Sequence, residues 1–378
     1  MSLLKVGVFA TSKKMNEKRV PIHPDQLEWI DEKVRQHLFF EEGYGLPFGM
    51  KDDKIAALSG GTRGRDELFE ACDIALLAKP VQKDFESMKA GTIHWGWPHC
   101  VQQKGITQTA IDRRLTLIAW EAMHRWSAHG DWQLHIFQKN NEIAGYAGVH
   151  HAMNLLGIDG NYGPSRKAVV ISFGSVSRGA VRALQNRGIQ DISVFTQRHY
   201  FLVADQMAGV KHCQFDKDEQ GNLISVHPEH QPRPFVDELA DADIIVNGVL
   251  QDTDNPLMFV REEENDRLKP GCLIVDVSCD EGMGFSFAKP TDFDKPLFKA
   301  ANVFYYAVDH TPSYLWNAAS WEISNSLISY LPIIMGGPEK WEQSETIRRA
   351  IEIRDGVIQN PKIISFQNRS EEYPHHEL

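Results

Sequence analysis

The run VVISFGSVSRGAV, residues 169–181, carries an apolar β-branched stretch into small residues and then into a helical pattern starting near Ser177. A turn without bulky side chains lets a pyrophosphate reach the free N–H groups and the positive dipole end of the following helix. Gly174, Ser175 and Val176 would line that turn. The usual G-x-G-x-x-G is altered here. In the register anchored on Gly174, Ser172 and Ser177 stand at its first and third glycine positions, with Gly179 two residues later. The string alone also suits a plain strand-to-helix turn, so the order of elements around it has to decide.

The next apolar run, 192–197, bears on cofactor choice. In NAD-selective folds this strand ends in Asp or Glu, which accepts hydrogen bonds from the ribose 2′-hydroxyl and repels a 2′-phosphate. Here it ends in Thr196, Gln197, Arg198 and His199, and no carboxylate follows until Asp205, which the pattern places inside the next helical segment. The fork of Arg198 matches phosphate geometry, while Thr196 and Gln197 add neutral hydrogen bonds. NADP(H) is therefore expected over NAD(H). The alternative is that Arg198 only points into solvent and the pocket is indifferent.

The elements that must position these residues alternate. Short apolar runs at 5–10, 38–41, 74–79, 92–97 and 115–120 are separated by helical patterns such as 24–34 and 105–114, giving an α/β layer with a mostly parallel sheet. Residues 133–156 have helical spacing up to Gly157 and predict a long connecting helix. A second set of runs follows at 167–174, 192–197, 244–249, 272–278 and 303–308. The polar stretch 216–234 reads as an inserted hairpin or loop, and 318–335 is amphipathic and long enough to return to the first domain. The expected architecture is two Rossmann-like domains flanking a cleft. Residues 1–138 with 319–378 would form the substrate domain, and 139–318 the dinucleotide domain.

Composition narrows the function classes. With 378 residues, 42% of them apolar and 24% charged, the chain is globular and long enough for two cores. A formal charge of −11, from 51 acidic against 40 basic residues, disfavours nucleic-acid and anionic-membrane surfaces and favours small-molecule partners. Five cysteines without a C-x-x-C pair suggest neither a disulfide framework nor a metal site, and fit a reducing cytoplasm. The opening residues are too short an apolar run for a signal peptide or membrane span. The oligomeric state is left open.

The sequence resembles the group that contains alanine dehydrogenase, saccharopine dehydrogenase and carboxyethyl-ornithine synthase, which shares a two-domain fold with a transhydrogenase subunit. The resemblance spans nearly the whole chain. It rests on NEKRVPIHP at 16–24, AKPV at 78–81, WGWPH at 95–99, GYAG at 145–148, GSVSRGA at 174–180, VDVSCDEG at 275–282 and VDHTPS at 308–313. WGWPH and the GSVSRGA loop look closest to carboxyethyl-ornithine synthase.

The resemblance implies roles that chemistry allows. Arg19, after the first strand, has a fork suited to a carboxylate, although a lone arginine is more often solvated. Lys79 ends a strand before Pro80, at the carboxyl edge where α/β sheets place ligands, and can bind a 2-oxo acid or move a proton. His99, after Pro98, can handle the carbinolamine or imine proton. Asp280 is placed by the family between cofactor and substrate, though it could also cap a turn. Asp309 and His310 fall in a segment that closes over nicotinamide and amine. The catalytic residues are thus Lys79, His99 and Asp280; the substrate contacts are Arg19, Lys79, Asp309 and His310. Cofactor contacts are Gly174, Ser175, Val176, Gln197, Arg198, Val249, Asp280 and Val308. His150 and His151, adjacent on the connecting helix, read as packing or surface residues, and Trp316 and Trp321 as pocket or core.

The implied reaction is reductive condensation of a 2-oxo acid, with pyruvate favoured, and the amino group of an amino acid, using NAD(P)H. Domain closure would exclude water. An alanine dehydrogenase using ammonia, a saccharopine-type enzyme and a non-catalytic nicotinamide sensor remain alternatives. The want of a membrane segment disfavours a transhydrogenase subunit.

Overall fold

The computed structural model describes residues 3–10, 12–227, 231–252 and 255–378; residues 228–230 of the polar stretch 216–234 lie outside them. The chain divides into two compact units, Met1–Gln138 with Trp316–Leu378, and Lys139–Leu315.

In the first unit, strands Val6–Val8 and Ile74–Leu76 are buried along their whole length. Strands apolar on both faces need helices on both, which is the condition for a parallel sheet. The spatial order is Val357–Ile358, Ile351–Arg354, Thr116–Ala119, Ile93–Gly96, Ile74–Leu76, Val6–Val8, Leu38–Glu41, Thr62–Arg63. The last six are mutually parallel and the first two form an antiparallel edge. Numbered along the chain, the parallel strands run 3-2-1-4-5-6, so the order reverses between Val6–Val8 and Ile74–Leu76. Such a switch point opens a crevice at the carboxyl ends of its two strands. Side chains alternate between two cores. Val6, Val8, Leu38, Ile74 and Trp95 lie on one face, and Ala75, Leu77, Leu117 and Ile353 on the other. The returning segment completes the first core with Ile323, Leu327, Leu331 and Ile334.

The sequence pattern was misleading at one boundary. Residues 132–135 are not helical: Trp132–His135 pairs antiparallel with His124–Trp126, and the helix begins only at Gln138. The turn is set by Gly130 at φ 83° and by Ser127 Oγ, which accepts from the N–H groups of His129 and Asp131 at 3.2 and 3.0 Å. Local turn bonds outweigh the apolar periodicity that suggested one continuous helix.

In the second unit the order is Arg233–Pro234, Leu223–Val226, Lys211–Lys217, Asp191–Thr196, Lys167–Ile171, Ile244–Asn247, Leu273–Asp276, Val303–Tyr306, Leu297–Ala300. The six strands from Lys211–Lys217 to Val303–Tyr306 are parallel and again run 3-2-1-4-5-6. Of the hairpin or loop expected over the polar stretch, the described residues form the hairpin: Leu223–Val226 pairs antiparallel with Lys211–Lys217 and with Arg233–Pro234, extending this sheet. Here the switch point falls between Lys167–Ile171 and Ile244–Asn247. No helix among the described residues is long and apolar enough to cross a membrane.

Candidate active site

Three successive strands of the first unit end in the residues that can do acid-base work. Lys79 follows Ile74–Leu76 at the switch point, His99 follows Ile93–Gly96, and Glu121 follows Thr116–Ala119. Because these strands are adjacent and parallel, their ends converge. Lys79 Nζ lies 2.8 Å from His99 Nε2. The His99 backbone N–H donates to Glu121 Oε1 at 2.7 Å, and His99 Nδ1 stands 3.5 Å from the same oxygen. His99 has φ 49°, a left-handed conformation costly for a residue with a Cβ, and the Glu121 bond holds it there.

Glu121 was not among the expected residues. Its Oε2 is buried without a hydrogen-bond partner among the described residues. Burial, and secondarily the carboxylate of Glu352, push its pKa up to about 8, against hydrogen bonds and the Lys79 charge, which pull it down. A lone acid three residues ahead of a hairpin carries no sequence motif. Only the pairing of strands Ile93–Gly96 and Thr116–Ala119 brings it beside His99.

Arg19 is not solvated; it is 4% exposed. Its Nε and Nη2 donate to the two oxygens of Glu17 at 2.8 and 2.6 Å, and its guanidinium lies 5.0 Å from the centre of the Trp97 ring. Glu17 was also overlooked, and it spends one edge of the fork on an internal pair. The loop after Lys79 is anchored as well. Ser12 Oγ donates to the Lys79 carbonyl oxygen. Arg65 bridges Glu41, at 3.0 Å, and Asp84, at 2.9 Å; Asp84 in turn accepts from the Val81 N–H at 2.9 Å.

Trp316 and Trp321 belong to the first unit. Trp316 packs edge-on against Phe48 and Trp321 against His23, with ring centres 5.0 and 5.1 Å apart.

In the second unit, Gly174 is the exposed residue that caps helix Ser175–Asn186, whose first N–H groups lack helical partners. Ser172, at the first glycine position, adopts φ 82°, the conformation that glycine normally supplies there. The close-packing role of the third glycine has moved. A Cβ on Gly179 would lie 1.8 Å from the Glu142 carbonyl oxygen, so Gly179, not Ser177, lets this helix cross Gln138–Leu155. The turn keeps its shape without its usual letters.

Thr196 ends strand Asp191–Thr196, and its Oγ1 donates to the Arg198 carbonyl oxygen at 2.8 Å; Gln197, Arg198 and His199 are exposed. The expected helix over Asp205 is absent. Asp205 has φ 51°, and Arg178, a residue not singled out from sequence, donates to the carbonyls of Asp205 and Ala204 at 2.7 and 2.6 Å. Those bonds take the place of a helical ladder.

Val249 and Asp280 follow the strand ends Asn247 and Asp276 and are partly exposed. Burial raises the Asp280 pKa. Val308 is 1% exposed and packs in the core with Val149 and Val275, so the accessible residue at that strand end is Asp309. His310 is buried, with Nδ1 bonded to Asp309 Oδ1. His151 bonds the Tyr306 hydroxyl at 3.0 Å and stacks on Tyr314, while His150 packs on Tyr146; both are packing residues.

Comparison with known proteins agrees with the two-unit α/β fold. An N(5)-(carboxyethyl)ornithine synthase of Clostridium botulinum is 25% identical over 342 residues, covering 87% of this chain and 94% of the relative. An alanine dehydrogenase of Methanococcus maripaludis is 24% identical over 332 residues, 84% of each chain. Among solved structures, an L-alanine dehydrogenase superposes with a TM-score of 0.76 at 17% identity, over 96% of this chain and 99% of that one. A transhydrogenase from Sinorhizobium meliloti gives 0.69 at 16%, over 94% and 99%. The Alanine dehydrogenase/PNT N-terminal domain matches residues 7–144 and the corresponding C-terminal domain residues 166–361, and the chain belongs to the alanine dehydrogenase/PNT family.

Proposed function

We propose that this chain is a nicotinamide-dependent oxidoreductase that joins a 2-oxo acid, pyruvate, to the amino group of an amino acid, giving an N-(carboxyalkyl)amino acid. The observation that carries this reading is the 2.8 Å contact between Lys79 Nζ and His99 Nε2 at the strand ends of a doubly wound sheet. The Clostridium relative, an N(5)-(carboxyethyl)ornithine synthase, supports the choice of reaction.

The second unit suits a dinucleotide. The exposed Gly174 and the first turn of Ser175–Asn186, which no side chain caps, form a cradle for a pyrophosphate, and the exposed Gln197 and Arg198 suit a ribose 2′-phosphate. NADP(H) is therefore preferred in this reading. The bound cofactor would supply a hydride to the imine carbon.

The first unit prepares that carbon. Arg19, oriented by Glu17 and Trp97, is assigned to hydrogen bonding with the oxo-acid carboxylate. Lys79 holds the carbonyl oxygen while the amine adds. His99 then protonates the carbinolamine hydroxyl so that it leaves as water, and Lys79 resupplies the proton across their hydrogen bond. Glu121, its carboxyl kept protonated at neutral pH by burial, holds His99 in place by accepting its backbone N–H.

The test is incubation of the protein with NADPH, pyruvate, ammonia and single amino acids, followed by mass spectrometry. A product with the combined mass of amino acid and pyruvate, less one oxygen, is expected. Formation of alanine alone, from pyruvate and ammonia, would replace this reading with that of an alanine dehydrogenase.

A further inference from the structure

Asp276 is the last residue of strand Leu273–Asp276, is 1% exposed, and accepts four hydrogen bonds from three places. Oδ1 takes the Asn247 Nδ2 at 3.0 Å and the backbone N–H groups of Ser278 and Cys279 at 3.1 and 3.2 Å. Oδ2 takes the Tyr305 hydroxyl at 2.7 Å. A buried carboxylate with this many donors is strongly held, and each donor is itself part of something else. Asn247, fully buried at the end of the neighbouring strand, uses its Oδ1 to accept from the Val249 N–H at 3.1 Å. Ser278 Oγ donates to the Val249 carbonyl oxygen, closing the circuit between the two loops.

The circuit also fixes a strained residue. Cys279 has φ 60°, which side chains with a Cβ disfavour, and it is pinned by its N–H on Asp276 Oδ1 and its Sγ on the Asp276 carbonyl oxygen at 3.2 Å. The residue after this forced turn is Asp280. Two loops with accessible residues at their tips, Val249 and Asp280, are therefore tied to one buried carboxylate rather than left to move separately.

We infer that Asp276, with Asn247 and Tyr305, is a positioning set that locks the loops at Val249 and Asp280 to each other for hydride transfer. The inference rests on the reading above that this unit holds the nicotinamide. The pyrophosphate cradle at Gly174 lies on a different strand end, so the set governs turnover more than cofactor affinity.

Tyr305→Phe removes one arm with little change in shape, and Asn247→Ser removes both Asn247 bonds, to Asp276 and from the Val249 N–H, with the carboxamide that makes them. The readouts are the NADPH dissociation constant by fluorescence, kcat, and amide hydrogen exchange. Expected are an affinity within about threefold of the unmodified protein, a kcat lowered about tenfold or more, and exchange at Val249, Ser278 and Cys279 faster by about tenfold, with the strands of the unit unchanged. Unaltered kcat with unaltered loop exchange would overturn the inference alone. Faster exchange throughout the unit, with affinity and kcat falling together, would also overturn it, since that is what a merely structural role does. Failure of the unmodified protein to bind any reduced nicotinamide would instead overturn the functional reading, and with it the catalytic half of this inference.

Discussion

Lys79 Nζ and His99 Nε2, on the ends of adjacent parallel strands, share one hydrogen bond of 2.8 Å. One partner must donate and the other accept, so the pair exists with a proton available on one side and a lone pair on the other. That is the condition for passing a proton to a leaving hydroxyl and recovering it without exchange with bulk water.

Replacing Lys79 with Met or His99 with Ala should therefore abolish turnover. NADPH affinity, measured by fluorescence titration, should stay within a few-fold, because both residues belong to the unit that lacks the Gly174 cradle. Either variant retaining the unmodified kcat would remove that residue from the mechanism.

Glu121 predicts a distinct pH behaviour. Its carboxyl, raised by burial from 4.5 to about 8, stays protonated at neutral pH and ionises as pH rises through about 8. The unfolded chain releases this proton near 4.5, so between 4.5 and 8 stability falls as pH rises, and the change is complete above 8. Glu121→Gln should flatten that decline in denaturant titrations and erase an inflection near pH 8 from the kcat profile. An unchanged profile in this variant would show that Glu121 does not ionise in the working range.

The contrast between Lys79 and Glu121 shows what a sequence can disclose. Lys79 was legible because a strand-like run, a basic residue and a proline fall in a row, and local order alone defines a strand end. Glu121 and Glu17 were not, because their meaning comes from partners 22 and 2 residues away whose approach is a matter of fold and rotamer. The hairpin at 124–135 was hidden for a related reason. Its apolar residues, spaced like a helix, are satisfied by the paired strand and by the turn at Ser127. In the dinucleotide turn the letters failed while the conformation survived, with Ser172 taking the left-handed φ and Gly179 the close contact.

That displacement can be measured as stability. Gly179→Ala would place a methyl 1.8 Å from the Glu142 carbonyl oxygen, and Gly145→Ala one 1.9 Å from that of Val176. Backbone has to move in both cases, so each should destabilise the protein by about 1–3 kcal/mol or more. Gly174→Ala, whose Cβ meets only Ser172 Oγ at 3.9 Å, serves as the control in the same urea titrations. Equal midpoints for all three would show that the two helices are not held in the close crossing.

Cofactor choice rests on the end of strand Asp191–Thr196. No carboxylate stands there to receive a ribose 2′-hydroxyl, and the exposed Gln197 and Arg198 follow directly. Asp205, the nearest acid downstream, is turned by its φ of 51° and tied through its carbonyl oxygen to Arg178, which fixes the loop independently of any ligand. The Arg198 backbone is also held, through the Thr196 hydroxyl at 2.8 Å, so its side chain starts from a fixed point. Loss of a charge-assisted contact to a phosphate costs about 1.5–3 kcal/mol, or about tenfold to a hundredfold in affinity. Arg198→Ala should thus raise KM for NADPH by that factor and leave NADH use within about twofold. Equal kcat/KM for the two cofactors in the unmodified protein would refute the assignment, and an equal loss with both in the variant would mean that Arg198 supports the loop rather than the phosphate.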